Sequence, residues 1–259
     1  MDMKQAEQVA NFLVDWLREK VEESQTKGYV VGLSGGIDSS VVALLCKEAC
    51  PEGTLGIIMN CQSDPQDAAD AKLLADKYHI PYREAFLDKT YDAFLEAVGA
   101  TPEAEHMVTL GNIKPRLRMT TLYHFANKYG YLVAGTGNRS EMKIGYFTKH
   151  GDGGVDVAPI IHLTKGQVRD LGRYLGIPDQ IVNKPPSAGL WKNQTDEDEI
   201  GLTYEKLDHY LVTGEATPAV KRKVEHMAKI SEHKKHPPLV PPVPPGLSYK
   251  ISFYVDEEV

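Results

Sequence analysis

The chain is short of several things, and each shortage narrows its class. It has three cysteines in 259 residues, Cys46, Cys50 and Cys61. They make neither a C-x-x-C pair nor a zinc pattern with histidine. Usage this sparse and odd excludes a disulfide scaffold and fits a reducing, cytoplasmic setting. No apolar run approaches the roughly 18 residues of a membrane span. The start, Met1-Asp2-Met3-Lys4, lacks the apolar core of a secretion signal. There is no excess of positive charge: 29 Lys+Arg against 36 Asp+Glu give a formal charge of −7. The overall field therefore does not attract nucleic acid. There is no internal repeat and no clear domain boundary. With 42% hydrophobic and 25% charged residues, the composition is that of an ordinary soluble globular protein. The length is enough for one domain with a sizeable core, residues 1–259, ending in a proline-rich tail at about 237–259.

Val9, Phe12, Leu13, Trp16, Leu17 and Val21 recur at helical spacing and predict an amphipathic helix over 3–24. Tyr29 to Leu33 is a short apolar run bounded by glycine and serine, which reads as a buried strand. Further strands are expected at Thr54–Met59, within Pro81–Leu87 and at Tyr131–Ala134. Between them, helices are expected from Val41, over Pro65–Tyr78, over 89–98, and over 103–129 with a break or kink at Gly111 or Pro115. Strands alternating with helices predict an α/β fold, a parallel sheet flanked by helices on both faces. The wholly apolar strands fit that burial. Residues 145–160 and 184–196 read as loops, and 164–175, 203–213 and 217–233 as helices, with Thr164 capping the first. Ser248 to Val255 has strand-like content with no evident partner.

Between the first strand and its helix lies Gly32-Leu33-Ser34-Gly35-Gly36-Ile37-Asp38-Ser39-Ser40. In an open parallel sheet, ligands bind at that junction. Two glycines let the backbone approach a phosphate, and the helix start offers unpaired N–H groups with a partial positive charge. Asp38 would repel a bare phosphate, so it points to a magnesium ion between them. The loop has neither the Lys-Ser/Thr ending of a Walker A motif nor the GxGxxG fingerprint. A plain glycine turn with a capping Asp-Ser pair is the bland alternative.

This motif resembles the signature of the PP-loop ATP pyrophosphatases, which adenylate a substrate oxygen and release pyrophosphate. GMP synthetases, tRNA thiolases and asparagine synthetases share it. Five further segments resemble the NAD synthetases within that superfamily, together spanning residues 32–234. They are Gly111 to Met119, Gly135 to Glu141, Gly145 to Asp156, Leu163-Thr164-Lys165, and Lys184 to Trp191 followed by Gln194 to Glu197. The resemblance implies an adenine nucleotide alpha hydrolase-like, Rossmann-like three-layer fold. It implies ATP contacts by residues 32–39, Thr136, Lys165 and Ser187, and magnesium held by Asp38 and Glu141. It assigns Arg116, Lys149, Asp156, His233 and Lys234 to deamido-NAD, and gives Asp152 the task of holding or deprotonating the incoming ammonium. Bland alternatives stand beside these. Arg116 and Arg118 could belong to a solvated basic helix, although at i, i+2 they do not share a face. Asn138 or Ser140 could be a helix cap with Glu141 a first-turn acid. Asp196 and Glu197 read more simply as a helix N-terminus after Thr195. His233-Lys234 is a two-residue match, and Cys61 and Gln62 stand where the family has proline and basic residues.

The implied reaction is amidation of deamido-NAD with ammonia, driven by ATP split to AMP and pyrophosphate through an adenylated carboxylate. Asp38, Asp152 and Lys165 are the implied catalytic residues. The chain is too short to hold a glutaminase beside the 32–234 core, so free ammonia is the expected donor unless a separate subunit delivers it. The family forms homodimers with deamido-NAD across the interface, and 103–129 is the candidate contact region. Two rivals remain: another PP-loop enzyme, against which the 145–156 loop argues, and a non-catalytic nucleotide sensor, for which Asp38, Glu141 and Lys165 would be an odd excess.

Overall fold

A computed structural model describes residues 1–101, 105–191 and 194–242. The expected strand at Ser248–Val255 lies outside them. The first helix, α1, runs Met3–Ser24, and Asp2 caps it by accepting from the Gln5 N–H while the Gln5 side chain reaches back. Four strands follow in the expected places: β1 Tyr29–Gly32, β2 Thr54–Asn60, β3 Tyr82–Phe86 and β4 Leu132–Ala134. They pair in parallel in the order β3-β2-β1-β4. Ala134 also bridges in parallel to Val157, so the segment read as pure loop at 145–160 touches the sheet edge.

Helix α2, Ile37–Ala49, starts four residues before the expected Val41, so Asp38, Ser39 and Ser40 are already helical, while α3 Pro65–Lys77 and α4 Asp88–Val98 match their expected spans. The break expected at Gly111 is present. Helix α5, Met107–Gly111, and helix α6, Ile113–Tyr129, meet at Asn112. Pro115 falls in the first turn of α6, where a missing N–H costs nothing, so it does not kink the helix. After β4 come α7 Arg139–Ile144, α8 Lys165–Tyr174, α9 Asp179–Val182, α10 Asp196–Ile200, α11 Tyr204–Thr213 and α12 Pro218–Ile230. A 3₁₀ turn, Glu232–Lys234, ends the span read as one helix over 217–233. One-turn helices such as α9 carry too few residues to show a period.

Helices α1, α2, α3 and α8 cover one face of the sheet, where Leu17, Val31, Leu45, Leu74, Val168 and Leu171 are buried together. Helix α6 covers the other through Ala126 against Val30, Ile57 and Val133. Each fully buried Leu or Ile here contributes about 1.5–3 kcal/mol relative to exposure. A separate cluster of Ile144, Ile200, Tyr204, Leu207 and Val224 binds α7, α10, α11 and α12 into one block at the carboxyl end of the sheet. That block carries half of the candidate site. Among the described residues, no helix is long and apolar enough to cross a membrane.

Candidate active site

The phosphate loop is shaped by sterics that only glycine satisfies. Gly35 has φ +74°, and a Cβ there would lie 2.2 Å from the Asp67 carbonyl oxygen. The loop is cross-tied from within: Ser34 Oγ and Ser39 Oγ are 2.9 Å apart, Ser39 Oγ donates to the Gly36 carbonyl at 3.0 Å, and Ser40 Oγ donates to it at 2.8 Å. Gly36 caps α2 without any side-chain acceptor, so no side chain blocks the first-turn N–H groups. A helix start left in this state binds anions.

Asp38 stands in that first turn, and two distant elements converge on it. Asn138 Nδ2 donates to its Oδ1 at 2.9 Å, and Lys165 Nζ donates to its Oδ2 at 2.5 Å. Lys165 also donates to Glu141 Oε1 at 3.0 Å. The other Glu141 oxygen closes a capping box: Glu141 Oε2 accepts from the Asn138 N–H at 3.3 Å while Asn138 Oδ1 accepts from the Glu141 N–H at 3.1 Å. The capping alternative for Asn138 and the acid role for Glu141 are thus compatible. Behind them, Ser140 Oγ donates to Asp208 Oδ1 and accepts from the Lys165 N–H at 3.1 Å, and the Gly166 N–H donates to Asp208 Oδ2 at 2.7 Å. Asp208 of α11 thereby ties the starts of α7 and α8 together.

The Lys165 side chain is 3% exposed, the acids 16% and 17%. Burial by itself would lower the lysine pKa, but Asp38 and Glu141 outweigh it and the ammonium is held above its usual range. Burial pushes the Glu141 carboxyl up, Lys165 opposes this and Asp38 adds to it. Two carboxylate oxygens from separate elements therefore already grip one cation. They fit a small divalent ion, which needs only one or two carboxylates beside phosphate oxygens and water. No group of three or more His, Cys, Asp or Glu arranged for a metal occurs among the described residues, so phosphate and water would complete such a shell.

The 145–156 loop is folded onto the C-terminal block. At Gly145, φ is +67° and a Cβ would lie 2.0 Å from Ser231 Cβ. Lys234 Nζ donates to the Gly145 and Phe147 carbonyls, both at 2.8 Å. Lys149 Nζ donates to the His233 carbonyl at 2.5 Å, and Arg116 donates to the Lys149 carbonyl at 3.2 Å. Arg116, Lys149, His233 and Lys234, separated by up to 118 positions, form one connected cluster. Asp152 hangs beside it, its Oδ1 accepting from the Thr148 N–H at 2.9 Å. The surrounding protein mass raises the Asp152 carboxyl, while hydrogen bonds at Thr148 and the Lys234 charge pull the other way. The side chain itself meets solvent, which tempers that rise.

Other expected residues are placed differently. Both Asp156 oxygens are used within the protein, accepting from Tyr123 Oη at 2.9 Å and the Val133 N–H at 2.8 Å. Ser187 is exposed, and its Oγ accepts from the Gly189 N–H at 3.1 Å rather than touching the acid–lysine group. Thr136 is half-buried in the turn from β4 to α7. Of the two arginines on α6, Arg118 is the brace, donating to Ser63 Oγ at 3.1 Å, and Arg116 is the exposed one. Buried Lys114 donates to the Leu190 carbonyl at 2.8 Å, and Leu190 and Trp191 roof a cavity of about 650 Å³ walled by Tyr91, Leu95 and Leu110.

The sequence profile described as NAD synthase matches residues 9–238. A protein of Carboxydothermus hydrogenoformans, NH(3)-dependent NAD(+) synthetase, is 54% identical over 88% of this chain and 95% of its own length. The chain belongs to the NAD synthase family. Two solved structures share its fold. NMN synthetase from Francisella tularensis superposes with a TM-score of 0.88 at 37% identity, covering 92% of this chain and 99% of the other. The NH3-dependent NAD synthetase of Campylobacter jejuni gives 0.75 at 31% identity, covering 93% and 99%. The parallel sheet and its two helical layers are the adenine nucleotide alpha hydrolase-like fold.

Four residues of this site escaped the sequence reading. Asn138 was visible as a cap but not as the donor to Asp38. Tyr204 and Asp208 sit four apart on α11, hence on one face, and that spacing was the available signal. Lys184 donates to Asp67 Oδ1 at 2.8 Å and Asp70 Oδ2 at 2.6 Å, anchoring the start of the 184–196 loop to α3.

Proposed function

We propose that this chain is an ammonia-dependent NAD synthetase, a ligase that amidates deamido-NAD with ammonia and splits ATP to AMP and pyrophosphate. One observation carries this reading: a buried lysine and two acids from separate elements meet at the mouth of an uncapped glycine loop. Such a group suits displacement at phosphorus, which is mainly a matter of positioning and charge stabilisation. The carboxylate of the pyridine acid attacks the α-phosphorus, the bond to the bridging oxygen breaks, and pyrophosphate leaves. The 34–40 loop receives its oxygens through backbone N–H groups and serine hydroxyls, and Lys165 faces the leaving charge. Mg²⁺ is the cation that Asp38 and Glu141 would hold, and it supplies neutralisation of phosphate charge. Ammonia then attacks the acyl carbon of the adenylate and AMP departs with the bonding pair. An ammonium ion has no lone pair, and Asp152 takes its proton. Arg116, Lys149, Asp156, His233 and Lys234 are assigned to the dinucleotide, Thr136 and Ser187 to ATP.

We read the chain as a single domain that works in the cytoplasm as a homodimer. The exposed apolar side chains Phe94, Val98, Met107 and Val108 on α4 and α5 support a self-contact there. Sedimentation equilibrium at micromolar concentration should return twice the chain mass.

A second reading concerns only the acid that is amidated. The superposition on NMN synthetase favours nicotinate mononucleotide, which would receive the same two steps. Purified protein should convert ATP, Mg²⁺, ammonium chloride and deamido-NAD to NAD, AMP and pyrophosphate. Release of ADP, or no ATP use, would end the proposal. Preference for the mononucleotide in competition would select the second reading, and glutamine in place of ammonium tests the donor.

A further inference from the structure

The Glu141 carboxylate has one oxygen to spare. Its Oε2 is committed to the α7 capping box, so Oε1 alone faces the cation position now filled by Lys165 Nζ. The Tyr204 hydroxyl lies 3.4 Å from that same Oε1. Tyr204 is 1% exposed, and its ring packs 5.1 Å from Lys165 Nζ, so it cannot turn away to water. A phenol has one proton to donate. Given to Glu141, that proton would compete with a cation for the only available oxygen. Instead it goes to Asp196 Oδ2, at 2.9 Å.

Asp196 is otherwise hard to explain. It is 3% exposed, and its Oδ1 is buried with no hydrogen-bond partner among the described residues. A buried unpaired acceptor is costly. Asp196 is the first residue of α10, but the α10 cap is provided by Thr195, whose side chain accepts from the Asp198 N–H. An apolar side chain would fill the place without the orphaned oxygen. What it would not do is accept the Tyr204 proton.

We propose that Asp196 is a positioning residue that acts through Tyr204: it draws the phenol proton to itself and so keeps Glu141 Oε1 open to the cation. The proposal rests on Asp38 and Glu141 being the cation-holding acids. It also links the 184–196 loop to that site, because the Asp196 N–H donates to the Pro186 carbonyl at 3.0 Å, one residue from Ser187.

The test is Mn²⁺ binding, read from the free-ion EPR signal in the presence of α,β-methylene ATP, for wild type, Asp196→Leu, Tyr204→Phe and the double variant. Asp196→Leu should weaken Mn²⁺ binding about tenfold, because the phenol then turns to Glu141. Tyr204→Phe in that background removes the competitor and should restore binding to within about threefold of wild type. A role limited to packing, or to the negative charge of Asp196, predicts no such rescue. A double variant as weak as Asp196→Leu, or an Asp196→Leu protein that binds Mn²⁺ like wild type, overturns the proposal. Should Asp196→Leu not fold, Asp196→Asn is taken through the same series. Its neutral oxygen accepts less strongly, and the expected loss is about threefold, again removed by Tyr204→Phe; an unaltered Asn variant overturns the idea equally. Wild-type protein that makes no NAD would instead sink the proposed function, whatever the Mn²⁺ series returns.

Discussion

Asn138 donates from Nδ2 to Asp38 Oδ1 at 2.9 Å, joining two loops that lie 100 residues apart in the chain. Asn138 is fully buried and also caps α7, so it fixes the orientation of Asp38 relative to Glu141. Asn138→Ser separates the two tasks. Serine caps as well as asparagine, but it cannot reach Asp38 with an N–H. Thermal stability should drop by no more than about 1.5 kcal/mol. Pyrophosphate release should fall about 10–100-fold, as when a residue behind a metal ligand is lost. Equal activity of variant and wild type would show that Asp38 needs no such support.

Asp38→Asn removes the charge that faces both Lys165 and the phosphate loop. Adenylation should fall about 10²–10³-fold, the scale of losing one preorganised electrostatic contact. The assigned dinucleotide residues belong to a different cluster, so deamido-NAD affinity by calorimetry should stay within about threefold. Parallel loss of both would remove Asp38 from the adenylation step.

The fold was legible because its signals are local. Val9 to Val21 at helical spacing, the apolar run at Tyr29 and the proline at Pro65 each declared an element that the structure contains. The split at Asn112 was legible from Gly111, where α5 ends, whereas Pro115 announced a second break that the first turn of α6 absorbs. The site was legible as a set of loops. The resemblance supplied Asp38, Glu141 and Lys165, but nothing in the spacing said that Asn138 and Tyr204 would meet them there. Such contacts depend on how α7, α8 and α11 pack, which Ile144, Leu207 and Val224 decide together. Nor does local pattern say that Asp156 spends both oxygens on Tyr123 and Val133.

Asp152→Asn addresses the second half of the reaction. The variant should still consume ATP and release pyrophosphate. NAD formation should fall about 10²–10⁴-fold, the range for loss of a proton acceptor. In wild type the acceptor works only when ionised. Because its carboxyl is raised, the acid limb of NAD formation at fixed free ammonia should sit above the usual carboxylate range. The limb should be absent from the adenylation step. An Asn variant that keeps the wild-type acid limb would assign the proton to another group.

Lys184→Met tests the anchor of the 184–196 loop through the pH dependence of stability. Burial would raise the Asp70 carboxyl, but the hydrogen bond from Lys184, with those from Gln66 and Gln180, outweighs it and the net shift is downward. A depressed folded pKa contributes stability above the unfolded value of about 3.9, and that contribution is lost as pH falls through the folded pKa. Burial alone would lower the Lys184 ammonium, but Asp67 and Asp70 outweigh it and the net shift is upward. Its contribution is full below the unfolded value of about 10.4 and fades as pH rises through the folded pKa. The two signs together define a plateau from about pH 4 to pH 10. Within it the variant should be about 2 kcal/mol less stable, the worth of a hydrogen bond to a charged group in a partly exposed pair. For a chain of this size that lowers Tm by about 4–8 °C. Calorimetry at pH 7 and pH 3.5 should show the deficit shrinking in acid. A deficit of the same size at both pH values would mean that the methionine disturbs packing and that the ion pair holds nothing. Because Ser187 follows three residues later, the KM for ATP should rise as well, with the KM for ammonia unchanged.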